Sequence, residues 1–91
     1  MIHEYNNTLP TTGKILVDFY ANWCGPCKVM GKILEDIKDI DIYKINVDTF
    51  PDFAEKFNVR NLPTLVCFED DKEIWRHTGV LTKEVILDKL K

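Results

Sequence analysis

Two cysteines three positions apart, in the segment Trp23–Lys28 with the sequence WCGPCK, constrain this chain more than any other feature. The run Ile15–Ala21 before them is apolar apart from one aspartate and indicates a buried strand, and apolar residues at helical spacing follow them. Cys24 is therefore predicted at or just before a helix N-terminus, where unpaired backbone N–H groups favour a thiolate over a thiol. Cys27 follows one helical turn later, so the two thiols form a candidate redox pair.

The residues around the two thiols suit disulfide chemistry. A thiolate at Cys24 is the form that attacks disulfides, and Cys27 can then attack the mixed disulfide and release the reduced target. Pro26 suits an early helical position because its missing N–H has no partner there in any case. Gly25 lets a substrate backbone come close.

Length and charge narrow the function classes. With 91 residues, the chain is expected to form one domain, residues 1–91, that buries roughly two-thirds of its unfolded surface. Its 12 basic and 15 acidic residues are interspersed and give a net charge of −3, so no basic stripe indicates a nucleic-acid ligand.

The N-terminal segment and the cysteine count point to the same compartment. Met1–Asn7 lacks the basic start and apolar core of a signal peptide, and no apolar run approaches the ~20 residues of a membrane span. Three cysteines cannot form a closed disulfide framework. We therefore expect a cytoplasmic protein with no membrane contact, in which a lone C-x-x-C is catalytic or metal-binding.

The remaining pattern predicts alternating strands and helices. A mixed sheet with helices on both faces is the natural packing of these elements. The expected strands are Ile2–Tyr5, Lys14–Tyr20, Ile42–Val47, Pro63–Phe68 and Glu73–Thr78, the last two as an antiparallel hairpin, and the expected helices are Cys24–Ile40, Pro51–Phe57 and one that Thr82 caps.

The order of these motifs resembles the thioredoxin family from about residue 14 to the end of the chain. The resemblance rests on the strand, the segment Trp23–Lys28, the following helix, the segment Leu62–Leu65 and Gly79. It implies a thioredoxin fold of the α/β class, with a mixed four- to five-stranded sheet flanked by helices and the first helix reduced or absent. It also implies a monomer without a bound cofactor, which reduces disulfides in protein substrates with electrons from NADPH through a thioredoxin reductase.

The resemblance assigns catalytic roles to four residues. Cys24 matches the family's nucleophile and Cys27 its buried resolving thiol. Asp18 matches the carboxylate behind the pair, and Lys44 matches the lysine near that carboxylate.

Four further residues match the family's substrate-binding face, to which Gly25 and Pro26 also belong. Pro63 matches a proline with a cis peptide bond opposite the two sulfurs, and the backbone of Leu62 before it matches the segment that pairs with the substrate chain. Gly79 matches a glycine beside the same groove. Trp23 matches an exposed tryptophan that shapes the binding face.

Asp18 has a role that its neighbours suggest without the family. The apolar residues that flank it make ionisation costly, so its pKa is expected to be raised, and Lys44 is expected to moderate that effect. Such a carboxyl group near Cys27 can take the proton of the resolving thiol as a general base. The alternative is that Asp18 lies in water at the end of a strand.

Two other function classes remain open at this point. The same fold can serve as a non-catalytic accessory subunit of a larger enzyme. A zinc module can use Cys24 and Cys27 with Cys67 or a histidine, although no second ligand pair is present. Cys67 itself lies in an apolar run. It is expected to be a small buried side chain that takes no part in the redox reaction.

Overall fold

The computed structural model describes residues 1–91, which form one five-stranded sheet and three helices. The strand order in the sheet is β1-β3-β2-β4-β5. β1 and β2 run parallel to β3, whereas β4 is antiparallel to β2 and to β5. The elements are β1 (Ile2–Glu4), β2 (Lys14–Tyr20), α1 (Gly25–Glu35), β3 (Asp41–Asn46), α2 (Pro51–Lys56), β4 (Thr64–Glu69), β5 (Lys72–Thr78) and α3 (Lys83–Lys89).

The two faces of the sheet carry separate apolar clusters. α1 and α3 cover one face, where Leu16 and Ile42 of the sheet pack with Leu34 of α1 and Ile86 of α3. α2 covers the other face, together with aromatic and aliphatic side chains from the N-terminal segment and the loops. This second cluster contains Ile15, Val17, Phe19, Ile45, Ala54, Val66 and Phe68, with Tyr5, Leu9, Phe50, Phe53 and Phe57 packed against it. Helices on both faces were expected, and the structure confirms them.

The hairpin and the last helix follow the turn and cap residues of the sequence. β4 and β5 are joined at Asp70 and Asp71, which both have positive φ, the conformation that a tight hairpin turn requires. Thr82 caps α3, because its hydroxyl oxygen accepts a hydrogen bond from the backbone N–H of Val85. The predicted hairpin and the predicted cap are both confirmed.

The first helix is shorter than the sequence pattern indicated. The prediction extended it from Cys24 to Ile40, but α1 ends at Glu35 and Asp36 caps it. Ile37 and Ile40 are nevertheless buried in the same cluster as Leu34. The apolar spacing therefore predicted correctly which side chains are buried. It did not predict that the residues after Asp36 are no longer helical.

The N-terminal part of the chain contributes one edge strand and no helix before β2. β1 pairs with β3 over three residues, and the amino group of Met1 donates to the carbonyl oxygen of Ile40. The expectation that the first helix is reduced or absent is thus confirmed. None of the three helices has the length and apolarity that a membrane span requires.

Candidate active site

The two cysteines lie at the junction between β2 and α1. Cys24 is the N-cap of α1, with extended backbone, and its sulfur accepts a hydrogen bond of 3.1 Å from the backbone N–H of Cys27. Pro26 lies in the first helical turn, as its missing N–H predicts. The two sulfurs are joined in a disulfide, and the Cα atoms are 5.2 Å apart. The helix N-terminus thus directs a donor at the Cys24 sulfur, which favours its thiolate after reduction.

Both cysteines are nearly buried, but they open onto different cavities. Cys24 is 5% exposed and Cys27 3% exposed. Cys24 lines a groove of about 600 Å³ with Leu62 on the opposite wall. Cys27 instead lines a cavity of about 360 Å³ that Lys44 also borders. A protein substrate in the groove therefore reaches Cys24 first.

The wall of the groove opposite Cys24 is a loop with a fixed shape. The peptide bond between Leu62 and Pro63 is cis, as the resemblance implied. The hydroxyl of Thr64 donates to the carbonyl oxygen of Asn61 at 2.6 Å, and the backbone N–H of Gly79 donates to the carbonyl oxygen of Pro63 at 2.8 Å. Gly79 has a φ of 103°, which favours glycine. It borders the loop rather than the groove itself.

Trp23 projects from the rim of the groove and is 72% exposed, as expected for a residue of a binding face. Its indole N–H donates to a carboxylate oxygen of Asp48 at 2.9 Å. Sequence reasoning missed Asp48. It follows β3 closely, as Trp23 follows β2, and the carboxyl ends of adjacent parallel strands meet at one edge of a sheet. That relation was available from the predicted strands.

The remaining groove residues are mixed in character. Gly25 leaves open space at its Cα, since an added Cβ meets no atom within 4 Å. Pro26 also lines the groove. Sequence reasoning missed Val47, Val59 and Arg60, because they belong to loops that only the fold brings to this edge.

Asp18 is fully buried in the middle of β2, so the alternative of a solvated strand end is wrong. Neither carboxylate oxygen has a hydrogen-bond partner in the protein. Burial raises the pKa of this carboxyl group from 3.8 to about 7, while Lys44 acts to lower it and Glu4 to raise it. A pKa near neutral suits a group that accepts and returns a proton.

Lys44 lies beside Asp18 on the neighbouring strand but does not form an ion pair with it. The two residues are register partners in β3 and β2. The Lys44 ammonium lies 4.5 Å from the centre of the Tyr20 ring instead. The Tyr20 hydroxyl lies 3.2 Å from both carboxylate oxygens of Glu4, to which it donates. The part of Glu4 in this arrangement was not foreseen from the sequence.

The third cysteine lies outside this arrangement. Cys67 is fully buried in β4, in the cluster beneath α1 and α3. Burial raises the pKa of its thiol. No group of three or more Cys, His, Asp or Glu side chains is placed to hold a metal ion.

Comparison with known proteins agrees with this geometry. The family model described as Thioredoxin matches residues 2–91. A thioredoxin of Mycoplasmoides gallisepticum is 37% identical over 92 residues, which cover 97% of this chain and 92% of the relative. A thioredoxin of Chlamydia caviae is 39% identical over 88 residues, which cover 92% of this chain and 86% of the relative.

Solved structures of thioredoxins superpose on the same elements. A mutant thioredoxin from Halobacterium salinarum has a TM-score of 0.80 at 33% identity and covers 86% of this chain and 72% of its own. The thioredoxin of Fasciola hepatica has a TM-score of 0.79 at 32% identity, with 88% and 81% covered. The fold is therefore the thioredoxin fold. With a disulfide-forming C-x-x-C pair at the helix N-terminus, the chain belongs to the thioredoxin family and is a thiol-disulfide oxidoreductase of the protein-disulfide reductase type.

Proposed function

We propose that Cys24 and Cys27 carry out this disulfide reduction, with Cys24 as the attacking thiolate and Cys27 as the resolving thiol. One observation carries the assignment. The Cys24 sulfur is the side chain that caps α1, accepts the Cys27 N–H and opens onto the groove, whereas Cys27 does not line that groove. The nucleophile is thus the sulfur that is both activated and accessible.

The first step joins the protein to its target. The Cys24 thiolate attacks one sulfur of a target disulfide, and the target's S–S bond breaks as the new bond forms. The electron pair of the broken bond leaves on the other target sulfur, which takes a proton from solvent. The product is a mixed disulfide in the groove.

The second step releases the target. Cys27 gives its proton to the Asp18 carboxylate and attacks the Cys24 sulfur, which forms the Cys24–Cys27 disulfide and breaks the mixed disulfide. The second target sulfur leaves as a thiolate and is protonated. The target has then gained two electrons and two protons: both electrons come from the cysteine pair, one proton comes from Cys27 by way of Asp18, and the other comes from solvent. Lys44 favours the charged form of Asp18 during the transfer.

The groove suits an extended substrate chain. The backbone of Leu62, before the cis bond to Pro63, pairs with the substrate like an added strand. Trp23, Gly25 and Pro26 form the facing rim, and none of their side chains closes the groove. Gly79 supports the Pro63 carbonyl from behind the loop.

The protein's partners follow from this cycle. Disulfide-containing proteins are the substrates, and a thioredoxin reductase with NADPH returns the pair to the dithiol. The chain works in the cytoplasm as a monomer, and residues 1–91 act as one domain. The support for one domain is that both apolar clusters lie on the two faces of one sheet. No observation favours the accessory-subunit alternative.

Insulin reduction tests the assignment directly. With NADPH and a compatible thioredoxin reductase, the wild-type protein is expected to reduce insulin in repeated turnovers. Cys24→Ser should abolish turnover, because no thiolate remains in the groove. Cys27→Ser should accumulate a mixed disulfide between Cys24 and the target, which mass spectrometry detects.

Cys67→Ser is the matched control, since it removes the one cysteine outside the site. It should retain wild-type turnover. Turnover that survives Cys24→Ser, or a mixed disulfide trapped on Cys24→Ser instead of Cys27→Ser, contradicts the assignment.

A further inference from the structure

A row of charged side chains crosses the sheet beneath α1. Glu4 of β1 and Asp18 of β2 are both register partners of Lys44 in β3, so the three side chains lie on one face of three neighbouring strands. Leu16, two residues before Asp18, packs against α1 on this face. Tyr20, two residues after Asp18, projects to the same side.

Within this row, the Lys44 ammonium contacts the Tyr20 ring, and Tyr20 contacts Glu4. The Tyr20 hydroxyl donates to Glu4 at 3.2 Å, and the Lys44 ammonium lies 4.5 Å from the centre of the Tyr20 ring. Asp18, in contrast, has no hydrogen-bond partner on either carboxylate oxygen. The Lys44 ammonium therefore lies over a neighbouring ring and forms no hydrogen bond with the buried carboxyl group.

We propose that Glu4 and Tyr20 are a pair of positioning residues that hold the Lys44 ammonium away from Asp18 and thereby set the proton affinity of the group that serves Cys27. The proposal rests on the proposed roles of Asp18 and Cys27. Tyr20 supplies the ring on which the ammonium rests and anchors Glu4 through its hydroxyl. Glu4 supplies the negative charge that draws the ammonium outward.

Both effects of Glu4 raise the pKa of Asp18. Its own negative charge disfavours ionisation of Asp18 and raises the pKa of that carboxyl group. Holding Lys44 at Tyr20 weakens the attraction that lowers the same pKa. Removal of the Glu4 charge should therefore shift the Asp18 pKa downward by both routes.

The pair lies next to the thiol that Asp18 serves. Tyr20, Lys44 and Cys27 line one cavity of about 360 Å³, whereas Cys27 does not line the substrate groove. Proton exchange between solvent and the Cys27 side of the site can proceed through this cavity while a substrate fills the groove. A change in the position of Lys44 therefore alters the charge at the wall of this cavity.

The other ionisable groups around Asp18 are more remote or stand at the cavity rim. α1 contributes Cys27 itself and the rim residues Lys28, Lys32 and Glu35. Across the sheet, Leu65 separates Asp18 from His77 of β5. α3 presents Ile86, Leu87 and Leu90 to this face, which are all apolar. Glu35 is therefore a suitable comparison for Glu4, since both are exposed carboxylates.

The titration of Asp18 in the oxidised protein tests the proposal without interference from thiol ionisation. The side-chain carboxyl ¹³C signal of Asp18 reports its midpoint by NMR. Glu4→Gln keeps an acceptor for the Tyr20 hydroxyl but removes the charge, and should lower the midpoint by about half a pKa unit, as expected for a screened charge two strands away. Tyr20→Phe keeps the ring but frees Glu4, and should give a smaller shift in the same direction.

Two variants separate this role from a general structural effect. Glu4→Asp keeps the charge and should retain most of the wild-type midpoint. Glu35→Gln removes a charge at the cavity rim without touching Tyr20 and should shift the midpoint much less than Glu4→Gln does. An unchanged or raised midpoint in Glu4→Gln, or an equal shift in Glu35→Gln, overturns the proposal.

A kinetic measurement links the pair to the reaction. In a stopped-flow reaction of the dithiol form with a small aromatic disulfide, attack by Cys24 releases the first thiol and attack by Cys27 on the mixed disulfide releases the second, so the second phase reports the step of Cys27. In Glu4→Gln, the acidic limb of its pH profile should move down by the same amount as the NMR midpoint. If the midpoint shifts but the profile does not, Asp18 is not the base for Cys27 and the inference fails as a statement about catalysis. The insulin assay of the wild type tests the proposed function separately.

Discussion

At the scale of single residues, the carboxyl group of Asp18 couples stability to pH. Its pKa is raised by burial from 3.8 to about 7, so the folded protein binds a proton that the unfolded chain has already lost in this range. Stability therefore falls as the pH rises from about 4 to about 7, by on the order of 4 kcal/mol in total. The proposed exchange of a proton with Cys27 would need a carboxyl group that titrates near neutrality, and this requirement would explain why the site keeps the cost.

Replacement of Asp18 by asparagine should remove this pH dependence. Relative to the wild type, Asp18→Asn is expected to gain stability progressively between pH 4 and pH 8, by up to about 4 kcal/mol, since the variant has no charge to bury. Urea unfolding of both oxidised proteins at several pH values measures the difference. The exposed Asp39 provides the control, because Asp39→Asn should show no such trend. A constant difference across this pH range contradicts the raised pKa.

Cys67 should be chemically silent in the folded protein. It is fully buried, and burial raises the pKa of its thiol, so both access and ionisation are disfavoured. The oxidised protein has this single free thiol. It should react with a colorimetric disulfide reagent only after unfolding in urea, and then with one equivalent. A fast reaction in native buffer at pH 8 contradicts this expectation.

At the scale of elements, α3 begins at a cap whose contribution can be measured. The hydroxyl oxygen of Thr82 accepts from the N–H of Val85 at 3.3 Å. Thr82→Ala removes that acceptor and should lower the free energy of unfolding by about 1 kcal/mol, whereas Thr82→Ser should retain most of it. Urea unfolding distinguishes the two variants. Equal stability of the alanine and serine variants indicates that the hydroxyl does not contribute.

The periodicity of the sequence predicted which elements exist more accurately than it predicted where they end. β2 was predicted with its observed bounds, because the run Lys14–Tyr20 is bordered by turn residues. The predicted end of α1 was wrong for two reasons. No glycine or proline directly follows Glu35 to mark the end of the helix, and Ile37 and Ile40 continue the apolar spacing from a non-helical segment. The pairing of the three-residue β1 with β3 depends on contacts far apart in the chain, which local patterns do not encode.

The candidate site, like the fold, could be predicted from the sequence only in part. The sequence placed Cys24 at the start of a helix from local pattern alone, and the burial of Asp18 followed from its apolar neighbours. The cis bond before Pro63 came only from the resemblance to a family. The hydrogen bond from Tyr20 to Glu4 joins residues 16 positions apart on strands that are not adjacent in the sheet. No sequence motif predicts such a contact.

At the scale of the whole molecule, one sheet supports two apolar clusters that have no buried residue in common. The active site lies at the sheet edge where β2 ends, with Asp48 following β3 and the Leu62–Pro63 loop preceding β4. Its geometry therefore depends on both faces. If the two clusters unfolded independently, the groove would lose its loop or its helix separately, so we expect the two faces to unfold together.

A matched pair of substitutions on β3 tests this cooperativity. Ile42 and Ile45 are both fully buried, Ile42 against α1 and α3 and Ile45 on the α2 face. Ile42→Val and Ile45→Val should each lower the free energy of unfolding by about 1 kcal/mol, since each removes one buried methylene. In both variants, urea unfolding should remain a single transition that coincides by tryptophan fluorescence and by far-ultraviolet circular dichroism. The double variant should lose the sum within about 0.5 kcal/mol, because the two side chains belong to separate apolar clusters. Two separate transitions in either single variant mean that the faces unfold independently and that residues 1–91 do not act as one domain.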